Sequence, residues 1–234
     1  MPLTLNTRHV GSVCVIQCTG RIVYGEEENT LDAALNHAEH IFSQIVLNLT
    51  AVTRLDSMGL GMFARHSTRL AKRGGAIHLA GSPPFVTSLL DLTMMSAIIP
   101  NFESEDDAIL AFLNRCPAQK SEVASGPRLL VFDPSADLCT FARTVLSQRG
   151  FSVQTTCSFG DAKLLLRVEG ADYVLVGPCS AQLPPESVVR GLAALAPQAS
   201  VLQLSADFKS HDALEATELL LQMFGMGSAS QAPA

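Results

Sequence analysis

The hydrophobic residues of this chain occur in short apolar runs of strand length that alternate with longer segments of helical spacing. Residues 45–49 have the pattern of a buried strand, and residues 30–43 before them carry apolar residues three and four positions apart. The same alternation resumes at residue 128, after a segment without periodicity that contains Pro, Ser, Lys, Glu and Gly. Alternating strands and helices predict an α/β fold, with a mostly parallel sheet and helices on both faces in the second half.

The length of the chain, 234 residues, exceeds the usual size of a single domain. We therefore expect a first domain at residues 1–115, a linker at 116–127 and a second domain at 128–225. The remaining residues, 226–234, are small and polar, which predicts a disordered tail.

The segment 46–63 is the most informative part of the sequence. It has the pattern of a buried strand, a short polar connection and then Asp56 and Ser57 where a helix begins. A serine at a helix N-terminus lies among unpaired backbone N–H groups and at the positive end of the dipole, where a phosphate is readily held. Phosphorylation there would change the local charge by about −1.5 to −2, which is typical of a switch. The alternative is that Ser57 only caps the helix.

Residues 56–61 read Asp-Ser-x-Gly-Leu-Gly, and the matching segments around them are 11–16, 20–23, a helix from Thr30, 45–49, 52–55, 74–79 and 106–113. In this order they resemble the STAS family, the fold of anti-sigma factor antagonists, from about residue 5 to residue 113. The resemblance implies a mixed sheet with helices, and it implies that an anti-sigma kinase would phosphorylate Ser57. Met58 departs from the small or hydroxylated residue that is usual in the family, which leaves Ser57 as the only candidate hydroxyl within the motif.

A basic stripe follows on the same predicted helix. It consists of Arg65, Arg69, Lys72 and Arg73, at helical spacing. The stripe is either a docking surface for a partner near Ser57 or an ordinary solvated helix face. The predicted partner-binding residues are Asp56, Ser57, Met58, Gly59, Arg65 and Arg69.

The second half contains strand-like runs at 129–133, 150–153, 171–176 and 201–206. These runs resemble a response-regulator receiver domain, which implies a flavodoxin-like parallel sheet, although no fifth strand is visible. The receiver chemistry does not carry over, because Gly177 stands where the phosphate-accepting aspartate is expected and Pro134 interrupts the acidic pair that would hold Mg²⁺. Ser205 fits the hydroxyl position, and the expected lysine has no counterpart. We therefore expect a protein-interaction domain, with a homodimer covering the open sheet edge, or else a plain α/β domain with an accidental likeness to receivers.

Composition narrows the range of functions. The net charge of −6 argues against nucleic acid as a partner, and no signal peptide or membrane-spanning run is visible. The six cysteines are scattered and form no Cys-x-x-Cys pair, which favours a reducing cytoplasm and argues against a metal site. No P-loop, dinucleotide fingerprint or Ser-His-Asp arrangement is present, so we expect no cofactor and no enzymatic activity.

The leading hypothesis is a phosphorylation-switched binding protein. It would bind an anti-sigma factor that is a serine kinase of the ATPase type while Ser57 is unphosphorylated, and a serine phosphatase would be a further partner. The alternative is a constitutive two-domain signalling scaffold in which Ser57 is only a helix cap.

Overall fold

The computed structural model of the chain describes residues 1–115, 126–178, 184–205, 208 and 213–225. The chain divides into two compact units, Met1–Ala118 and Gln119–Ala234. Most of the predicted linker and the whole predicted tail lie outside the described residues. Within the described residues, no helix is long and apolar enough to cross a membrane.

The first unit is built from strands and helices in the following order: β1 Thr4–Val10, β2 Val13–Ile22, α1 Glu26–Ile41, β3 Gln44–Leu55, α2 Ser57–Ala71, β4 Ala76–Ala80, α3 Pro84–Leu92, β5 Asn101–Phe102 and α4 Glu105–Arg115. The five strands form one mixed sheet in the order β1-β2-β3-β4-β5. β1 and β2 form an antiparallel hairpin, and the other neighbours are parallel. In the β2–β3 ladder, Ile22 is opposite Leu55, so the ends of these two strands lie at the same edge of the sheet.

Helices cover both faces of this sheet. Ile45, Leu47 and Leu49 of β3 are fully buried in a cluster that also contains residues of α1, α2 and α3. On β4, His78 lies between two members of that cluster, hydrogen-bonds the carbonyl of Ala108 and stacks on the ring of Phe112, both in α4. Because side chains alternate along a strand, α4 covers the face opposite to α1, α2 and α3.

Two element boundaries in this unit differ from the sequence prediction. Helix α1 begins at Glu26, four residues before the predicted start at Thr30, because Gly25 precedes the first turn and the Thr30 hydroxyl instead donates to the carbonyl of Glu26 inside the helix. In the sequence, the apolar pair at residues 98–99 predicts a further short strand, and this prediction is wrong. Ile99 is buried beneath a short 3₁₀ turn at Met95–Ala97, and the strand that pairs with β4 follows it as β5.

The second unit alternates strands and helices throughout its described part: β6 Arg128–Phe132, α5 Ala136–Ser147, β7 Ser152–Thr156, α6 Phe159–Val168, β8 Tyr173–Val176, α7 Pro185–Leu195, β9 Ser200–Gln203 and α8 Ala213–Met223. Its described strands form one sheet in the order β7-β6-β8-β9, and all neighbours are parallel. When the strands are numbered within the second unit, their order is 2-1-3-4, which matches the first four strands of the flavodoxin-like order. The predicted fold class is confirmed: a mixed α/β sheet in the first unit and a parallel sheet in the second.

Helices also cover both faces of the second sheet. Leu129 and Val131 of β6 share a core cluster with residues of α5 and α8. Phe132 points to the other face, where its ring lies 6.0 Å from that of Phe159 in α6. Helix α8 therefore packs on the same face as α5.

Candidate functional site at the start of helix α2

The N-terminal cap of α2 is Asp56, not Ser57. One carboxylate oxygen of Asp56, Oδ1, accepts hydrogen bonds from the backbone N–H groups of Met58 and Gly59, each at 3.0 Å, and its carbonyl accepts from Leu60 N at 3.1 Å. The backbone of Asp56 is extended, as the cap position requires. The idea that Ser57 is the helix cap is therefore wrong, because an Asp one residue earlier already occupies the first free amides of the helix.

Asp56 also joins the helix start to the end of β2. Its second oxygen, Oδ2, accepts from the backbone N–H of Tyr24 at 2.8 Å, and its own N–H donates to the carbonyl of Ile22 at 3.2 Å. Partial burial raises the pKa of this carboxyl, but the three backbone donors and Arg54 outweigh it and lower the pKa on balance. The stabilisation from Asp56 is consequently complete above its unfolded pKa of about 3.9 and is lost as pH falls through the lower folded value.

Ser57 is the first residue of α2 and is exposed to solvent. Its hydroxyl makes no hydrogen bond to any residue that the structure describes. The nearby amides of Met58 and Gly59 are already taken by Asp56, so the sequence-based picture of a serine among unpaired N–H groups needs correction. The hydroxyl is accessible, and a phosphate on it would stand beside a carboxylate.

Two residues with exposed apolar side chains lie near this position. Met58 follows Ser57 and is 46% exposed, and Tyr24, two residues after β2 and bound to Asp56 through its backbone N–H, is 74% exposed. Sequence analysis included Met58 but missed Tyr24. The signal that would have found Tyr24 is the parallel pairing of β2 with β3, because parallel strands bring their carboxyl ends to one edge of a sheet.

Gly59 lets α2 approach the sheet closely. A Cβ atom at this position would lie 2.7 Å from Leu55 Cδ1, 2.8 Å from Ile22 Cγ2 and 3.2 Å from the Ile22 carbonyl oxygen. The other motif glycine, Gly61, has open space where its Cβ would be. Gly59 is thus a packing residue that positions the helix start, rather than a residue exposed to a partner.

Arg65 and Arg69 do not cluster with Ser57. They lie eight and twelve residues further along α2, which corresponds to about 12 and 18 Å of helix rise. Both pair with α1: Arg65 Nη2 donates to Asp32 Oδ1 at 2.6 Å, and Arg69 Nε donates to Glu39 Oε2 at 2.6 Å. Their side chains are still about half exposed, at 55% and 44%. Spacing along one helix could not reveal these partners, because they belong to another helix.

A buried histidine completes this charged cluster between α1 and α2. The ring nitrogens of His66 lie 2.5 Å from Glu39 Oε1 and 2.9 Å from Asp32 Oδ1. His66, followed by Arg65, holds the pKa of Asp32 below its ordinary value despite the opposing effect of burial, and the hydrogen bond to Glu39 raises the pKa of Arg69. Arg73 also donates to the carbonyl of Glu39 at 3.0 Å, so three of the four residues of the predicted basic stripe bind α1.

The second unit has a candidate site of its own, at the edge of the sheet where β8 ends. Gly177 follows β8, and its N–H donates to the carbonyl of Phe132 at 2.8 Å. A Cβ atom on Gly177 would lie 2.0 Å from Asp133 Oδ2, so the buried carboxyl of Asp133 fills the space that an acceptor side chain would need. Ser205, the predicted hydroxyl position, is exposed just after β9. No group of three or more potential metal ligands occurs among the described residues.

Comparison with known families concerns the first unit. Residues 4–108 match the family model of the STAS domain. The match covers most of the first unit and none of the second. No curated protein matches the chain.

The chain is similar in structure to the following solved proteins. An anti-sigma factor antagonist from Mycobacterium paratuberculosis is 24% identical, with 47% of this chain and 92% of that one covered and a TM-score of 0.44. The Bacillus cell fate determinant SpoIIAA in its phosphorylated form is 17% identical, with 47% and 98% covered and a TM-score of 0.39. A putative two-component system response regulator/GGDEF domain protein is 14% identical, with 81% and 86% covered and a TM-score of 0.29.

Proposed function

We propose that this chain is a phosphorylation-switched regulator whose STAS domain binds a protein partner while Ser57 carries no phosphate. The observation that carries the proposal is the exposed Ser57 at the edge of the unit that matches the STAS domain, next to the exposed Met58 and to Asp56, which also binds the backbone N–H of the exposed Tyr24. Tyrosine and methionine are enriched at the centre of protein interfaces. A kinase that modifies Ser57 must contact this edge, so binding and phosphorylation use the same surface.

The proposed partner is an anti-sigma factor that is also a serine kinase of the ATPase type, and a serine phosphatase would restore the binding form. The phosphate would add about −1.5 to −2 charges next to Asp56. Because Asp56 already occupies the amides of Met58 and Gly59, those amides are not free to bind the new charge. The charge stays at the surface and opposes docking of the kinase. The protein itself needs no catalytic residues for this role, and the proposed location is the cytoplasm.

For the second unit we propose an interaction domain that resembles a receiver but accepts no phosphate. Gly177 supplies no carboxylate, and Asp133 occupies the space in front of it. Among the described strands, the outer strands β7 and β9 each have one neighbour. A second copy of the chain pairing along one of these edges would give a homodimer.

The test is incubation of the full chain with ATP and a candidate ATPase-type serine kinase from the same organism, followed by phosphopeptide mapping. Trypsin should release residues 55–65, in which Ser57 is the only residue with a hydroxyl group. We expect phosphate on this peptide and none in the Ser57→Ala variant. A main site at Thr50, Thr53 or Ser67, which fall in neighbouring peptides, would refute the assignment.

A further inference from the structure

Two cysteines of the second unit lie side by side. The sulfur atoms of Cys139 and Cys157 are 4.0 Å apart, although the residues are 18 positions apart in sequence. Cys139 lies in the first turns of α5 and is buried, whereas Cys157 directly follows β7 and is exposed. Neither residue belongs to the Ser57 site.

We propose that Cys139 and Cys157 form a reversible disulfide when a peroxide reaches the exposed Cys157 thiol. A disulfide requires sulfur atoms about 2.05 Å apart, so the two must approach by about 2 Å. Rotation of the two side chains can supply such a movement, and Cys157 lies in the connection between β7 and α6 rather than inside a regular element.

The surroundings of the two thiols assign them different roles. Burial, followed by the neighbouring Cys157, raises the pKa of Cys139 to about 12, so this thiol stays protonated near neutral pH. Its S–H group has the carbonyl oxygens of Asp133 and Thr156 as acceptors, at 3.3 and 3.7 Å. Cys157 is accessible to solvent and therefore reacts first, and Cys139 resolves the product.

The chemistry balances with hydrogen peroxide as the oxidant. The Cys157 sulfur attacks one peroxide oxygen, an S–O bond forms as the O–O bond breaks, and the leaving hydroxide takes the thiol proton to give water. The sulfur of Cys139 then attacks the sulfenic acid of Cys157, an S–S bond forms as the S–O bond breaks, and a second water leaves with the Cys139 proton. Two thiols lose two electrons in total, and the peroxide gains them.

Two other cysteines serve as an internal contrast. Cys14 and Cys18 are both buried in β2, and burial raises their pKa values to about 11 and about 12. They are four residues apart on one strand, or about 13 Å, which is too far for a disulfide. The same oxidant should leave both as thiols.

The bond would form at the sheet edge that carries Gly177. Cys139 contacts the backbone of Asp133, and the carboxyl of Asp133 lies against Gly177. The disulfide would tie the start of α5 to the connection between β7 and α6. It would therefore place a covalent modification at the edge where phosphate transfer is blocked, and it would act independently of Ser57.

Peptide mapping of the wild-type full chain tests the proposal. Reduced protein is treated with hydrogen peroxide, free thiols are blocked with N-ethylmaleimide, and tryptic peptides are analysed without reduction. Trypsin places the two cysteines in separate peptides, 129–143 and 150–163. We expect these peptides to be linked, with a loss of about 2 Da that dithiothreitol reverses. Cys14 and Cys18 should carry N-ethylmaleimide after unfolding.

Two variants separate the roles. Cys139→Ser keeps a donor for the two carbonyls and should trap Cys157 as a sulfenic acid that reacts with dimedone. Cys157→Ser should leave Cys139 as a thiol. Oxidation of wild-type Cys157 without a link to Cys139, or a link from Cys157 to Cys116 or Cys179, would overturn the proposal.

Discussion

At the scale of single residues, Asp56 and Ser57 divide two tasks at the start of α2. Asp56 satisfies the first amides of the helix and ties the end of β2 to it. Ser57 keeps an exposed hydroxyl. The sequence motif pointed to this position, but the helix cap that it suggested as the alternative role was Ser57 and not Asp56. Only the hydrogen bonds distinguish the two roles, because Asp and Ser are equally common caps.

Substitutions at Ser57 should show whether partner binding depends on the charge or on the shape of the side chain at this position. Ser57→Glu adds a carboxylate to a surface that the partner buries, and an unpaired desolvated charge costs several kcal/mol. We expect Ser57→Glu to weaken binding to the kinase at least about tenfold, or about 1.4 kcal/mol. Ser57→Gln has nearly the same shape without the charge, and it should bind like Ser57→Ala. Isothermal titration calorimetry measures all three.

The same variants should not differ much in stability. Because Asp56 is the cap, Ser57→Ala removes no capping hydrogen bond, and its unfolding free energy should stay within about 0.5 kcal/mol of wild type. Equal affinities for Ser57→Glu and Ser57→Gln would mean that Ser57 lies outside the interface, and would favour a constitutive scaffold.

The two motif glycines should respond in opposite directions to alanine. Gly59→Ala places a Cβ atom against Leu55 and Ile22, and overpacking of this kind outweighs the gain in helix propensity, for a net loss of about 1–2 kcal/mol. Gly61→Ala meets no neighbour and should stabilise the first unit by up to about 1 kcal/mol. Urea unfolding followed by circular dichroism checks both. A neutral Gly59→Ala would show that α2 can shift away from β2 without cost.

At the scale of elements, a charged cluster joins α1 to α2. Glu39 is only 4% exposed and faces both His66 and Arg69. The helical spacing of the basic residues was visible in the sequence, but the acidic face of α1 that receives them was not. Pairing between helices depends on how the elements pack, and single-helix periodicity contains no such information. The earlier start of α1 was missed for a local reason, since Thr30 uses its hydroxyl within the helix rather than at a cap.

Removing charge from this cluster should have unequal effects. Glu39→Gln removes the anionic partner of the half-buried Arg69 and one of the two carboxylates beside the buried His66, which keeps Asp32, and we expect a loss of about 2 kcal/mol. Arg65→Gln removes only the exposed pair with Asp32 and should cost less than about 0.5 kcal/mol. Thermal unfolding of the two variants beside wild type is the measurement. Similar losses of stability in the two variants would mean that the ion pairs of Glu39 contribute little to the stability of the fold.

Arg65 is therefore the residue with which docking on the basic stripe can be tested. If the stripe contacts the partner, Arg65→Gln should lower the affinity while the stability is unchanged. Arg69 is unsuitable, since its loss also disturbs α1.

At the scale of the whole molecule, the chain combines two α/β units with different sheets. Hydrophobic periodicity predicted both units, because a buried strand such as β8 and an amphipathic helix such as α5 show their burial directly in the sequence. The candidate site was predicted only in part. Ser57 and Met58 lie in one segment and were found, whereas Tyr24 reaches the same edge through strand pairing.

The second unit should take no phosphate from small donors. Incubation with acetyl phosphate and Mg²⁺ should add no phosphate to this unit, as intact-mass measurement would show, because Gly177 has no carboxylate and the carboxyl of Asp133 occupies the adjoining space.

The Gly177→Asp variant should not gain a phosphate acceptor. Its Cβ would overlap Asp133, and a second carboxylate beside a buried one is unfavourable, so the unit should lose stability instead. Gly160→Ala, whose Cβ would lie 3.6 Å from its nearest neighbour, is the matched control and should remain stable. A stable phosphate adduct on residues 128–225 of the wild type would show that the acceptor is a different residue.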